Sequence, residues 1–124
     1  MAPGVEAVGA VNVDTLMRAS LAAMDGLTTR QDVLAHNLAN VGTPGYRAQA
    51  VDFESSLAAS IVDGGAGGDV VPTVRDAGNQ ANPVGNSVDV TQDVLGIQQT
   101  QVGFEGAVAA FNFRHHILAD GLAR

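Results

Sequence analysis

Two long terminal helices, paired as an antiparallel coiled coil and joined by an irregular glycine-rich middle, form the all-α fold that this sequence predicts. Three observations carry the prediction. From Val90 to Leu122 apolar residues recur in steps of four and three, the spacing of a coiled-coil seam. From Asn12 to Val41 a similar pattern runs until Gly42, Pro44 and Gly45 interrupt it. Between the two lies a stretch, residues 62–86, too rich in Gly, Pro, Asp and Asn to continue either helix.

The 124 residues are expected to form one unit in four sections. Residues 1–11 are small and uncapped, and are expected to be disordered in the free chain. They lack a basic start, and Glu6 breaks the short apolar run, so no cleaved secretory signal is expected there.

Residues 12–46 are read as the N-terminal helix and its exit corner. Asn12 or Asp14 can cap the start. Met17, Met24 and Leu38 fall in one heptad column, and Leu27, Leu34 and Val41 in the other, with Ser20 and Gln31 as polar exceptions. Gly42 suits a left-handed position just past the helix end, and Pro44 prevents continuation. Thr43-Pro44-Gly45-Tyr46 fits a type II turn, because Pro sets φ at the second position and Gly takes positive φ at the third.

Residues 47–88 are expected to be irregular. Val51-Asp52-Phe53-Glu54 and Leu57 suit a short extended stretch or helical turn that folds back on the first helix. Val70 to Val74 leaves room for a short strand within a flexible loop or small β-hairpin.

Residues 89–124 are predicted as the second helix. Asp89 with Gln92 makes a capping-box pattern. The seam runs through Val90, Val94, Ile97, Gln101, Phe104, Val108, Phe111, His115, Leu118 and Leu122. A neighbouring column holds Leu95, Val102, Ala109 and His116, and the next holds Gly96, Gly103, Ala110 and Ile117. Glycine inside a helix costs about 1 kcal/mol relative to alanine, so these glycines imply close approach of another backbone. The first helix is expected to cover only the seam. Met17, Met24, Leu27, Leu34 and Leu38 would pack on Val94, Ile97, Phe104, Val108, Phe111 and Leu118, with Gln101 and His115 setting register. The remaining faces are expected to be covered by other subunits.

Composition argues against most chemistry. The net charge is −7 and the six arginines are scattered, which argues against nucleic acid or anionic lipid as the main partner. Without cysteine there are no disulfides, thiolate metal sites or cysteine nucleophiles. His116 and Asp120 share a helix face, but no metalloenzyme motif surrounds them, so no metal is expected. Gly64-Gly65-Ala66-Gly67-Gly68 lacks the Lys-Ser/Thr of a phosphate loop. No serine sits in a nucleophile elbow. Asp52 and Glu54 read as solvated neighbours rather than a catalytic pair. The expectation is a protein with no catalytic residue, no cofactor and no small-molecule substrate.

Asn37-Leu38-Ala39-Asn40-Val41-Gly42-Thr43-Pro44-Gly45-Tyr46 resembles the N-terminal signature of flagellar rod and hook proteins. Arg47-Ala48, Val51-Asp52-Phe53 and the entry Gly85-Asn86-Ser87-Val88-Asp89-Val90 are similar to proximal-rod members of that family. The resemblance covers both ends of the chain. Thr91-Gln92-Asp93-Val94 is less charged, and Phe113-Arg114-His115-His116 less basic, than is usual for the family. The resemblance implies a subunit of the periplasmic proximal rod, exported through the flagellar type III apparatus without signal cleavage. It implies contacts with copies of itself, other rod proteins and the protein joining the membrane ring to the rod. A sister rod subunit or a helical adaptor of a related secretion system are the alternatives. From the residues alone, Asn37 and Asn40 can bond orphan carbonyls or the returning chain, Gly42, Pro44 and Gly45 direct the exit, and Tyr46 anchors it.

Overall fold

A computed structural model describes residues 13–65, 68 and 70–123, with the side chains of residues 114, 115, 118, 122 and 123 left aside. The expected disordered segment 1–11, a cap at Asn12, and the side chains of His115, Leu118 and Leu122 lie outside the described residues. The order of elements is α1 (Val13–Ala39), β1 (Gln49–Asp52), α2 (Glu54–Val62), β2 (Thr73–Asp76) and α3 (Val90–Ala123).

The two long helices pack together and run antiparallel. Leu34 of α1 lies against Gly96 of α3, and Leu27, seven residues earlier, lies against Gly103, seven residues later. Extending that register places Asn37 level with Asp93 and Ser20 level with Ala110. On α1 the side turned inward is Ser20, Gly26, Leu27, Leu34 and Asn37. On α3 the buried members are Asp93 and Thr100. Thr100 bonds its own helix at the Gly96 carbonyl, 2.7 Å away, so its hydroxyl needs no partner from α1.

This differs from the heptad expectation. Leu34 and Leu27 lie over Gly96 and Gly103, a column that periodicity assigned to a neighbouring subunit, while Ile97, Val108 and Phe111 of the expected seam are half-buried. Val94 and Phe104 of the expected seam remain exposed, at 43% and 37%. The physical reason is distance. A leucine over a glycine brings two backbones closer than a leucine against a phenylalanine, and close packing maximises contact per residue. Val94 and Phe104 of the bulky seam then flank this close approach.

The middle is more ordered than its composition predicts, and the fold is not purely helical. β1 pairs antiparallel with β2, Gln49 opposite Asp76 and Asp52 opposite Thr73. The second strand starts at Thr73 rather than Val70, and α2 intervenes, so this is no simple hairpin. Leu27, Val51 and Phe53 form the buried cluster, with Ala23, Val33, Leu57 and Val70 packed around it. Phe53 lies directly over Gly26, where a Cβ would sit 2.5 Å from the ring. Arg30 stacks on the same ring at 5.0 Å from its centroid, a cation–π contact. Its guanidinium also reaches both carboxylate oxygens of Glu54 at 2.6 Å and the Val51 carbonyl. One side chain of α1 thus fastens the strand and the start of α2 together.

Candidate functional site

The helix α1 ends at Ala39, two residues before the expected stop. Gly42 is not left-handed; the positive φ values at the corner belong to Gly45 and, across from it, Gly85. The end is closed by side chains. Asn40 donates to the His36 carbonyl at 2.8 Å, and the Thr43 hydroxyl donates to Asn40 Oδ1 at 3.1 Å. Tyr46 N–H donates to the Thr43 carbonyl at 3.2 Å, and with Gly45 at φ 77° this is the type II turn.

Asn37 is wholly buried, and its amide serves as a substitute peptide group. Its Nδ2 donates to the Gln49 carbonyl at 2.9 Å, and its Oδ1 accepts from Gln49 N–H at 3.0 Å. The Tyr46 hydroxyl donates more weakly to the same oxygen at 3.4 Å. The returning chain is therefore hung on the last turn of α1.

The same corner is held from the other side by residues leading into α3. Asn86 donates to the carbonyls of Asn40 and Thr43, both at 2.8 Å. Its Oδ1 accepts from Val88 N–H at 2.9 Å. Ser87 N–H donates to the Tyr46 carbonyl at 3.0 Å, and Ser87 Oγ accepts from Ala48 N–H at 2.8 Å. Gly45 N–H donates to the Val84 carbonyl at 2.9 Å. Gly85 comes so close to Gly45 that a Cβ there would lie 3.3 Å from the Gly45 Cα. Asp89 Oδ1 then accepts from Gln92 N–H at 3.0 Å, capping α3. Both chain directions, out of α1 and into α3, are set at one hydrogen-bonded knot.

Asp93 lies buried one turn into α3. Among the described residues its Oδ2 has no hydrogen-bond partner. Burial pushes its carboxyl pKa up, the adjacent Asn37 amide opposes this, and the charge of Asp89 adds to it.

The packing residues divide by surroundings. Leu27 and Leu34 are buried against α3; Met17, Met24, Leu38, Ile97, Val108 and Phe111 are half-buried; Gln101 and Val41 are exposed. Phe104, with Leu27, Thr28, Gln31, Asp32, Thr100, Gln101 and Glu105, lines an open groove of about 390 Å³ built by α1 and α3 alone. On α3, Leu95, Val102 and Phe113 are exposed at 53%, 68% and 59%. Sequence reasoning did not single out Gly26 or Arg30, and it quoted Asn86 and Asp93 only inside longer segments, without a role. A lone glycine inside α1 was the available signal for Gly26. No local pattern gives the other three their roles.

Among the described residues no group of three or more His, Asp or Glu is placed to hold a metal ion. Among the described residues no helix is long and apolar enough to cross a membrane.

Residues 17–47 match the family described as flagella basal body rod protein. The chain is 40% identical over 52 residues to the flagellar basal body rod protein FlgB of Salmonella typhimurium, covering 42% of this chain and 38% of that one. It is 44% identical over 45 residues to FlgB of Escherichia coli K12, covering 36% and 33%. The similarity thus spans about a third of the length of the curated relatives. The matched segment is that of the flagellar basal-body rod family, and within it the similarity is to FlgB.

Proposed function

We propose that this chain is a structural subunit of the flagellar proximal rod. In this reading it polymerises with copies of itself and with other rod proteins, adjoins the junction with the membrane ring, and carries torque outward through many helix contacts in parallel. It reaches the periplasmic rod through the flagellar type III export apparatus, and it catalyses no reaction.

One observation carries the reading. Leu95, Val102 and Phe113 stand exposed along α3 although α1 already covers another side of that helix. An apolar stripe left uncovered in the single chain calls for a further helix. The rod-family signature at the corner supports the same conclusion.

The test is Val102→Glu. Its side chain is already exposed, so the isolated chain should keep its helix content and melting temperature. Incorporation into basal bodies should be lost, and swimming with it. Normal motility and normal basal bodies in cells carrying this variant, or in cells lacking the chain, would reject the reading.

A further inference from the structure

The groove between α1 and α3 has an apolar floor and acidic walls. Leu27 and Phe104 form the floor, Gln31 and Gln101 lie beside it, and Asp32 and Glu105 stand on opposite helices. No residue of the sheet or of α2 covers it. Neither carboxylate is in an ion pair with a described residue, whereas Arg18, Arg30, Arg47 and Arg75 are engaged by Asp14, Glu54, Asp76 and Asp52.

We propose that this groove is the docking site for a basic amphipathic helix of a different protein. An apolar side chain of that helix seats on Leu27 and Phe104, and flanking Lys or Arg side chains reach Asp32 and Glu105. Helix-in-groove recognition takes its affinity from the apolar anchor and its choice of partner from the rim charges. A second copy fits poorly. The α1 helix holds Asp14, Asp25 and Asp32 against Arg18 and Arg30. The α3 helix holds Asp93, Glu105 and Asp120 against Arg114. Either would bring net negative charge to a negative groove. The inference rests on the reading of the chain as a rod subunit and names the kind of neighbour met on this side.

The experiment replaces Gln101 by a photo-crosslinking amino acid in swimming cells, followed by mapping of crosslinks in purified basal bodies. The expected product joins the groove to another protein at a helix with Lys or Arg within one turn of the crosslinked residue. Asp32→Lys with Glu105→Lys should lower its yield about tenfold, and exchanging the partner's basic residues for Glu should restore it. Circular dichroism of the reversed variant should be unchanged. Crosslinking mainly to a second copy, a yield indifferent to charge reversal, or no product in basal bodies that contain the chain would overturn the proposal. Absence of the chain from basal bodies would instead overturn the rod reading, and this inference with it.

Discussion

The buried amide of Asn37 hydrogen-bonds both backbone groups of Gln49, twelve residues further on. One side chain thereby does the work of a neighbouring strand, and the corner between them closes around it. Asn37→Ala leaves two backbone groups at the edge of the core without partners. At about 1–3 kcal/mol for an unsatisfied buried group, the loss should reach about 2–4 kcal/mol. Urea unfolding followed by circular dichroism reads it, and an unchanged midpoint would remove Asn37 from the account of the corner. Asn37→Asp keeps the acceptor but sets a second carboxylate beside Asp93, so its cost should grow as pH rises from acid to neutral.

Three helical glycines should respond differently to alanine. The helix-propensity gain is common to all, about 1 kcal/mol. At Gly103 a Cβ would meet Leu27 at 3.4 Å, an ordinary contact, so Gly103→Ala should stabilise by about that amount. At Gly96 the nearest atom is Leu34 Cδ1 at 3.1 Å, so part of the gain is lost in moving that leucine. At Gly26 the Cβ would penetrate the Phe53 ring at 2.5 Å. Overpacking of that kind costs about 1–3 kcal/mol, so Gly26→Ala should destabilise. Reducing Phe53 to Leu should recover part of the loss in the double variant. Thermal melts of the three variants give the ranking; equal stabilisation by all three would mean the helix faces are misassigned.

Asp93 makes a pH prediction. Burial raises its folded-state pKa above the unfolded value of about 3.9. The folded state then holds its proton more tightly, so the site favours folding at low pH. That contribution is lost as pH rises through the unfolded and then the folded pKa. Asp93→Asn should therefore stabilise the chain at pH 7 and make little difference below about pH 4. Urea midpoints across that range check it. A variant that is less stable at neutral pH would mean the carboxylate is needed as an acceptor.

Glu54 works in the opposite sense. Its hydrogen bonds from Arg30 hold its carboxyl below the usual range, against a smaller opposing effect of burial. The stability it adds is present above its unfolded pKa and is lost as pH falls through the folded one. Much of this pair is in water, so the effect is small. Arg30→Lys removes the two-pronged contact and weakens the stacking on Phe53. A loss of about 1 kcal/mol at pH 7 is expected, shrinking in acid as Glu54 protonates. An Arg30→Lys penalty that stays constant from pH 7 to pH 3 would assign Arg30 to packing alone.

Local chemistry was legible along the chain wherever a residue type has one dominant use. Pro44 and Gly45 mark the turn, Asp89 marks the start of α3, and Asn37 stands where an amide can reach the returning chain. The turn and the cap need only neighbours within a few positions, whereas closing the corner also takes Asn86 and Ser87 from the far side of the chain. The existence of two long helices likewise follows from spacing alone.

Which face of α3 meets α1 was settled by the packed chain. Periodicity ranks columns by hydrophobicity, and by that measure Val94, Phe104 and Phe111 outrank Gly96 and Gly103. Packing ranks them by how closely two backbones can approach, a property of both helices at once and written in neither. The pairing of Gln49–Asp52 with Thr73–Asp76 is of the same kind, since it joins segments separated by α2 and a glycine-rich loop. Gly26, Arg30 and Phe53 acquire their roles only when α1, β1 and α2 are brought together. Spacing within a segment can be read from one chain in order; the complementarity of two surfaces exists only once both are folded.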